Sequence, residues 1–199
     1  MRIVGLTVVL FLLLVSQAFA ISPISRAVIK EAQDYGKVNA QNQFKDFLLP
    51  WISYEEKAAK LDNSAEHSYL YTAFLLIAND AREKSLSGHV VNILDSEGIL
   101  ADYSGLLSFS TVLYGDKQNF MKSAKVVLKQ NKKVLKAYQV IVPPNGEKIS
   151  RDGGQPQFIA QCYFYFLEKE IISNTPIILS ITTNDKKEHS FYFDMEKIK

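Results

Sequence analysis

The 199-residue chain carries 23 basic and 21 acidic side chains, a near-neutral balance that gives no bulk-charge reason to expect a nucleic-acid partner. Cys162 is the only cysteine, which excludes an intramolecular disulfide, and a chain of this length builds a sufficient core without one.

Met1-Arg2 precedes an almost uninterrupted run of Val, Leu, Ile and Phe from Ile3 to Val15. Ser16-Gln17 breaks that run, and Ala18-Phe19-Ala20 has the small-x-small form that signal peptidase reads. The apolar core falls short of the roughly 20 residues that span a bilayer, so residues 1–20 read as a secretory signal cleaved after Ala20. The mature chain is then expected to be soluble, without a transmembrane segment. Removing Arg2 leaves 22 basic against 21 acidic residues, with arginine only at 26, 82 and 151. Such scarcity again disfavours nucleic acid, whose phosphates and bases are read best by bidentate guanidinium groups. None of the ten asparagines opens an Asn-x-Ser/Thr sequon. With the single cysteine, this favours a bacterial periplasmic or extracellular protein over a eukaryotic one.

Residues 21–104 read as mainly α-helical. Ser22-Pro23 has cap-then-proline form, and Ile24, Val28, Ala32 and Tyr35 recur at helical spacing. The pattern resumes with Val38, Phe44, Phe47 and Leu48, and Pro50 closes it. A short helix is predicted over 53–61. Asn63 and Glu66 have capping-box spacing, and a further helix is predicted from Thr72, or from Ser64, to Gly88. A strand near Val90–Leu94 is the last element before the period changes.

Beyond Gly105 the period is two. Leu107, Phe109, Thr111 and Leu113 alternate with Ser108, Ser110, Val112 and Tyr114. Strands follow around Val126–Leu128, over 134–142 after a turn at Asn131-Lys132, over Phe158–Leu167 and over Ile177–Thr183. The last, over Ser190–Phe193, closes a hairpin turning at 184–187. The expected fold class is α+β: a helical amino-terminal region followed, over 105–199, by an antiparallel β-sandwich of immunoglobulin-like architecture packed with the helices as one unit. A small open barrel is the alternative.

No motif for metal or nucleophilic catalysis is present. His67, His89 and His189 lack the H-E-x-x-H spacing, and no serine occupies a G-x-S-x-G elbow. Asp185, His189, Ser190 and Asp194 cluster in sequence, as polar residues of a hairpin do. Cys162, within a central strand, reads as a buried inert thiol. Accordingly no cofactor and no metal is expected.

Seven lysines fall between Lys117 and Lys136 with no acidic residue among them. Lys125, Lys129, Lys132 and Lys133 form a candidate basic surface for an anionic envelope polymer or an envelope protein. The competing reading is lysines that guard an edge strand against unwanted pairing. The turn-rich 143–157 connection adds Arg151 and Asp152 as candidate binding residues. Function is therefore expected to be that of an exported, non-catalytic interaction module. The alternatives are a secreted hydrolase with a dispersed histidine site and a carrier of an apolar ligand. A histidine and a carboxylate converging in a pocket would favour the hydrolase, and an interior cavity would favour the carrier.

Overall fold

The structure is a computed structural model that describes residues 25–62, 64–103, 105–149 and 157–199. The expected signal, Asn63, Arg151 and Asp152 lie outside the described residues.

Helix α1, Arg26–Val38, begins at Ser25, whose hydroxyl accepts a hydrogen bond from the Val28 N–H. Ile29, Ala32, Gln33 and Gly36 are its buried residues, a single stripe at i, i+3, i+4 and i+7. That stripe packs on helix α3, Ala73–Leu86, capped by the Thr72 hydroxyl accepting from the Leu75 N–H. Gly36 permits the approach: a Cβ there would sit 2.1 Å from the Ala78 carbonyl oxygen. Between these helices run the short α2, Phe44–Phe47, and a turn of 3-10 helix at Leu49–Trp51. The Trp51 indole N–H and the Thr72 hydroxyl both donate to the Lys199 carbonyl, at 3.0 and 2.5 Å, fastening the last residues beneath the helices.

The fold is mixed α+β with two antiparallel sheets. The larger contains β1, Ile52–Tyr54; β2, His67–Tyr71; β3, Leu106–Gly115; β6, Gln139–Ile141; β7, Glu147–Ile149; and β8, Gln157–Leu167. Its order is β1-β2-β3-β8-β6, with β7 also pairing to β8. The smaller has the order β10-β9-β4-β5, from β4, Lys125–Gln130; β5, Lys133–Lys136; β9, Ile177–Thr182; and β10, Glu188–Phe193. Alternation sends Leu107, Phe109, Phe164 and Phe166 from one sheet, and Leu128, Leu179, Phe191 and Phe193 from the other, into one shared core. Phe109 and Phe193 meet across it with ring centroids 5.4 Å apart. The sheets also touch at one margin, where Glu55 bridges to Phe191.

Three expected elements are corrected. Residues 53–61 do not form a helix: Ile52–Tyr54 is a strand paired with β2, followed by turns. The helix does not begin at Ser64, because His67–Tyr71 alternates, burying Ser68 and Leu70, and so forms β2, and the helix starts after Thr72. Val90–Leu94 is not a strand. Val90 and Leu94 are exposed, and Ile93 opens helix α4, Ile93–Tyr103, whose one buried residue, Ser96, accepts a hydrogen bond from the Gln33 amide of α1. Two of the corrected elements, β1 and β2, lie within the stretch read as helical and extend the sheet formed by β3 and β8. The stretch 134–142 divides into β5 and β6 at Ala137-Tyr138, where the chain passes from one sheet to the other.

Candidate functional site

Glu66 immediately precedes β2 and lies two residues before the buried Ser68, so strand alternation turns its side chain inward. Its carbonyl is fixed by the Glu55 N–H at 3.0 Å. On β10, His189 shares the inward face with Phe191 and Phe193 and is 7% exposed. The two side chains meet, with His189 Nδ1 2.6 Å from Glu66 Oε2. The other carboxylate oxygen, Oε1, accepts the backbone N–H of Tyr114 at 2.9 Å. A carboxylate only accepts, so Nδ1 carries the proton that faces Glu66. Nε2 is buried and has no hydrogen-bond partner among the described residues.

These residues line a cleft of about 560 Å³, within the size range of small-ligand sites. Gln157, the first residue of β8, contributes a second buried atom, its Oε1, that has no partner among the described residues. At the rim the Lys187 ammonium bonds Asp116 at 2.7 Å and lies 3.6 Å from Asp185. The hydrogen bond to Asp116 holds that ammonium above its ordinary value, against the smaller cost of burial. Burial pushes the Asp185 carboxyl up, but the Thr183 hydroxyl at 2.5 Å and the Lys187 charge outweigh it and hold Asp185 below the usual carboxylate range.

Of the residues singled out in the sequence, His189 lines this cleft and Asp185 stands at its rim beside Lys187, and the other described ones lie elsewhere. Lys129 pairs with Glu188 at 3.0 Å, and Lys133 donates to the Glu170 carbonyl at 2.7 Å, while Lys125 and Lys132 are exposed. Strand β4 is flanked on both sides by β5 and β9, so Lys125 and Lys129 lie on an inner strand and Lys133 on an edge. His67 bonds the Ala65 carbonyl and His89 the Ser87 hydroxyl. Asp194 pairs with Lys197, and Ser190 falls on the opposite face of β10 from His189. Ser190 and Asp194 therefore do not converge with His189, and its carboxylate partner comes from 123 positions away. Cys162 is fully buried, and burial pushes its thiol up to about 12. Among the described residues no group of three His, Cys, Asp or Glu side chains is placed to hold a metal ion. No helix of the described residues is long and apolar enough to cross a membrane.

Glu66, Asp116 and Gln157 were not predicted as site residues. One local signal was available for Glu66: it stands in phase with Ser68 and Leu70 once His67–Tyr71 is read as a strand. Two other concavities, one beside Ile52, Tyr54 and Tyr69 and one between α1 and the Trp51–Phe74 rings, contain no buried polar atom without a partner. In comparisons with known proteins, the chain matches no family model, no curated protein and no solved structure.

Proposed function

We propose that this chain is an exported, non-catalytic binding protein: a signal removed after Ala20, then an immunoglobulin-like sandwich whose Glu66–His189 cleft holds a small polar ligand. One observation carries the reading. His189 Nε2 and Gln157 Oε1 are both buried, both lack a partner among the described residues, and both residues line one cleft. A buried polar group left unpaired costs about 1–3 kcal/mol, and such groups are rare in folded proteins. Among the described residues Asn79 Oδ1, Arg82 Nε and Tyr103 OH are also buried without a partner, but only His189 and Gln157 line one cleft, and that coincidence supports the reading. The interlocked Phe109, Phe166 and Phe193 rings give an apolar carrier no comparable support. The exposed lysines of the β4–β5 hairpin are the surface we assign to an anionic envelope component.

A hydrolase is favoured by one feature, the Glu66–His189 contact, since a carboxylate-oriented imidazole is a competent general base. Against it, the Ser64 hydroxyl in the same cleft is engaged by Asp62 at 2.5 Å, and the Cys162 thiol faces the core. The test is to express the full chain in a bacterial host, recover the periplasmic protein and sequence its amino terminus. Chromogenic esters, amides, phosphoesters and glycosides are then assayed for turnover. The proposal expects Ile21 as first residue and no turnover. Retention in the cytoplasm, or turnover abolished by His189→Gln, would overturn it.

A further inference from the structure

The outer face of the larger sheet carries aromatic and hydroxyl groups but no charge, and we infer that it binds a neutral carbohydrate chain laid across the strands. Strand register sets this face out in rows. Ile52, Tyr69, Ser110, Tyr163 and Ile141 are successive partners across β1, β2, β3, β8 and β6. Alternation with the buried Leu70, Phe109 and Phe164 turns them away from the core. The row on one side is Tyr71, Ser108, Tyr165 and Gln139, and on the other Tyr54, His67, Val112 and Gln161. No carboxylate, ammonium or guanidinium group stands in these three rows. The outer face of the smaller sheet, by contrast, carries Lys125, Lys129, Lys136 and Glu188.

The rings form a continuous surface. The His67 imidazole meets Tyr54 and Tyr69 at centroid distances of 6.2 and 5.3 Å. Burial, and then the neighbouring Tyr163, pushes the Tyr71 phenol up, so it stays a hydrogen-bond donor. Between Tyr69 and Tyr163 lies the buried Ser110, whose hydroxyl accepts the Gln161 amide at 3.2 Å. Adjacent strands are about 4.8 Å apart, so Tyr69 and Tyr163 stand roughly 10 Å apart at the backbone, about the length of two sugar rings. The chemistry of the face selects its occupant. An ionic ligand finds no opposite charge here, and a hydrocarbon would strip water from phenol, hydroxyl and amide groups without replacing it. A sugar ring brings a C–H face to the tyrosine rings and an edge of hydroxyls to those polar groups. Area tells against a second copy of the chain. A stable protein interface removes about 800 Å² from each partner, whereas in these rows only Gln139, Ile141, Gln161 and Tyr163 are exposed, and the rest are half-buried or buried.

The test titrates cellohexaose, maltohexaose and chitohexaose, with hexagalacturonate as the anionic counterpart, into the purified protein carrying ¹³C-labelled tyrosine. At least one neutral chain is expected to move the ring signals of Tyr69, Tyr71 and Tyr163 saturably, and hexagalacturonate to leave all three in place. Tyr163→Ala removes a ring and is expected to weaken that sugar about tenfold. Tyr163→Phe removes only the phenol hydroxyl and is expected to weaken it about threefold. Because Tyr163 is exposed, both variants should keep the urea midpoint of the parent. Rings unmoved by all three neutral chains, rings moved equally by hexagalacturonate, or full affinity in Tyr163→Ala would overturn the inference. Shifts of the same rings with protein concentration alone would also overturn it, by assigning the face to a second copy.

Discussion

Replacing Glu66 by leucine strands two buried donors at once, the His189 Nδ1–H and the Tyr114 backbone N–H. Hydrogen bonds to a charged group contribute about 1.5–3 kcal/mol each. The Glu66 side chain is 17% exposed, so water recovers part of the loss, and the combined cost should be about 3 kcal/mol. At about 2–4 °C per kcal/mol for a domain of this size, the melting temperature should fall by about 6–12 °C. Glu66→Gln should behave differently. Its amide oxygen can accept from Tyr114 while its NH₂ donates to Nδ1, provided the ring proton moves to Nε2. The cost should then stay within about 1 kcal/mol, a typical single hydrogen-bond difference. Urea denaturation gives both values, and the imidazole ¹⁵N shifts report the tautomer. A leucine variant as stable as the parent, or a glutamine variant as damaged as leucine, would refute the reasoning.

Gly36→Ala drives a methyl group into the Ala78 carbonyl. Overpacking of about 1–3 kcal/mol should outweigh the gain of about 1 kcal/mol in helix propensity, lowering the urea midpoint; a raised midpoint would show that α1 and α3 separate freely. Gln130 is 1% exposed, donates to the carbonyls of Ile172 and Thr175 and accepts the Ile172 N–H at 2.7 Å. Gln130→Leu should therefore cost about 2–3 kcal/mol and accelerate amide exchange around Ile172, whereas unchanged exchange would mean that the segment is held by other contacts. Asp185 has a folded pKa depressed below its unfolded value. Its stabilisation is thus full above the ordinary carboxylate range and is lost as pH falls through the lower, folded value. Asp185→Asn should flatten the acid limb of stability against pH, and an acid limb unchanged in slope would contradict the Thr183–Asp185–Lys187 network.

The strands legible in the sequence are those with one wet and one dry face, or with a sharp turn beside them. β3 alternates except at Ser110, which is buried beside Phe109 and Thr111, and β9 and β10 flank residues whose polarity marks a turn, with a positive φ at Lys186. β2 was hidden because Thr72 alone separates it from α3. Every side chain from Tyr69 to Ala78 except Thr72 is apolar or aromatic, the half-buried Tyr69, Tyr71 and Leu76 included, so neither period stands out in the sequence. α4 misled for the opposite reason: only Ser96 is buried, and its aliphatic residues are half or fully exposed. The cleft was less legible still. His189 and Glu66 are brought together by sheet packing across the core, and local pattern assigned Glu66 to a helix cap that does not form. Gln157 carries no motif at all. Its significance rests on an unpaired oxygen, which only three-dimensional burial reveals.

The central claim, that the Glu66–His189 cleft is a binding site for a small polar molecule, is tested most directly by a protein-observed NMR screen of the purified chain against charged and neutral polar fragments. The account predicts at least one fragment whose saturable shifts centre on Glu66, Tyr114, Gln157 and His189 and vanish in Gln157→Leu. Saturable shifts centred elsewhere, with those four residues unmoved by every fragment, would contradict it.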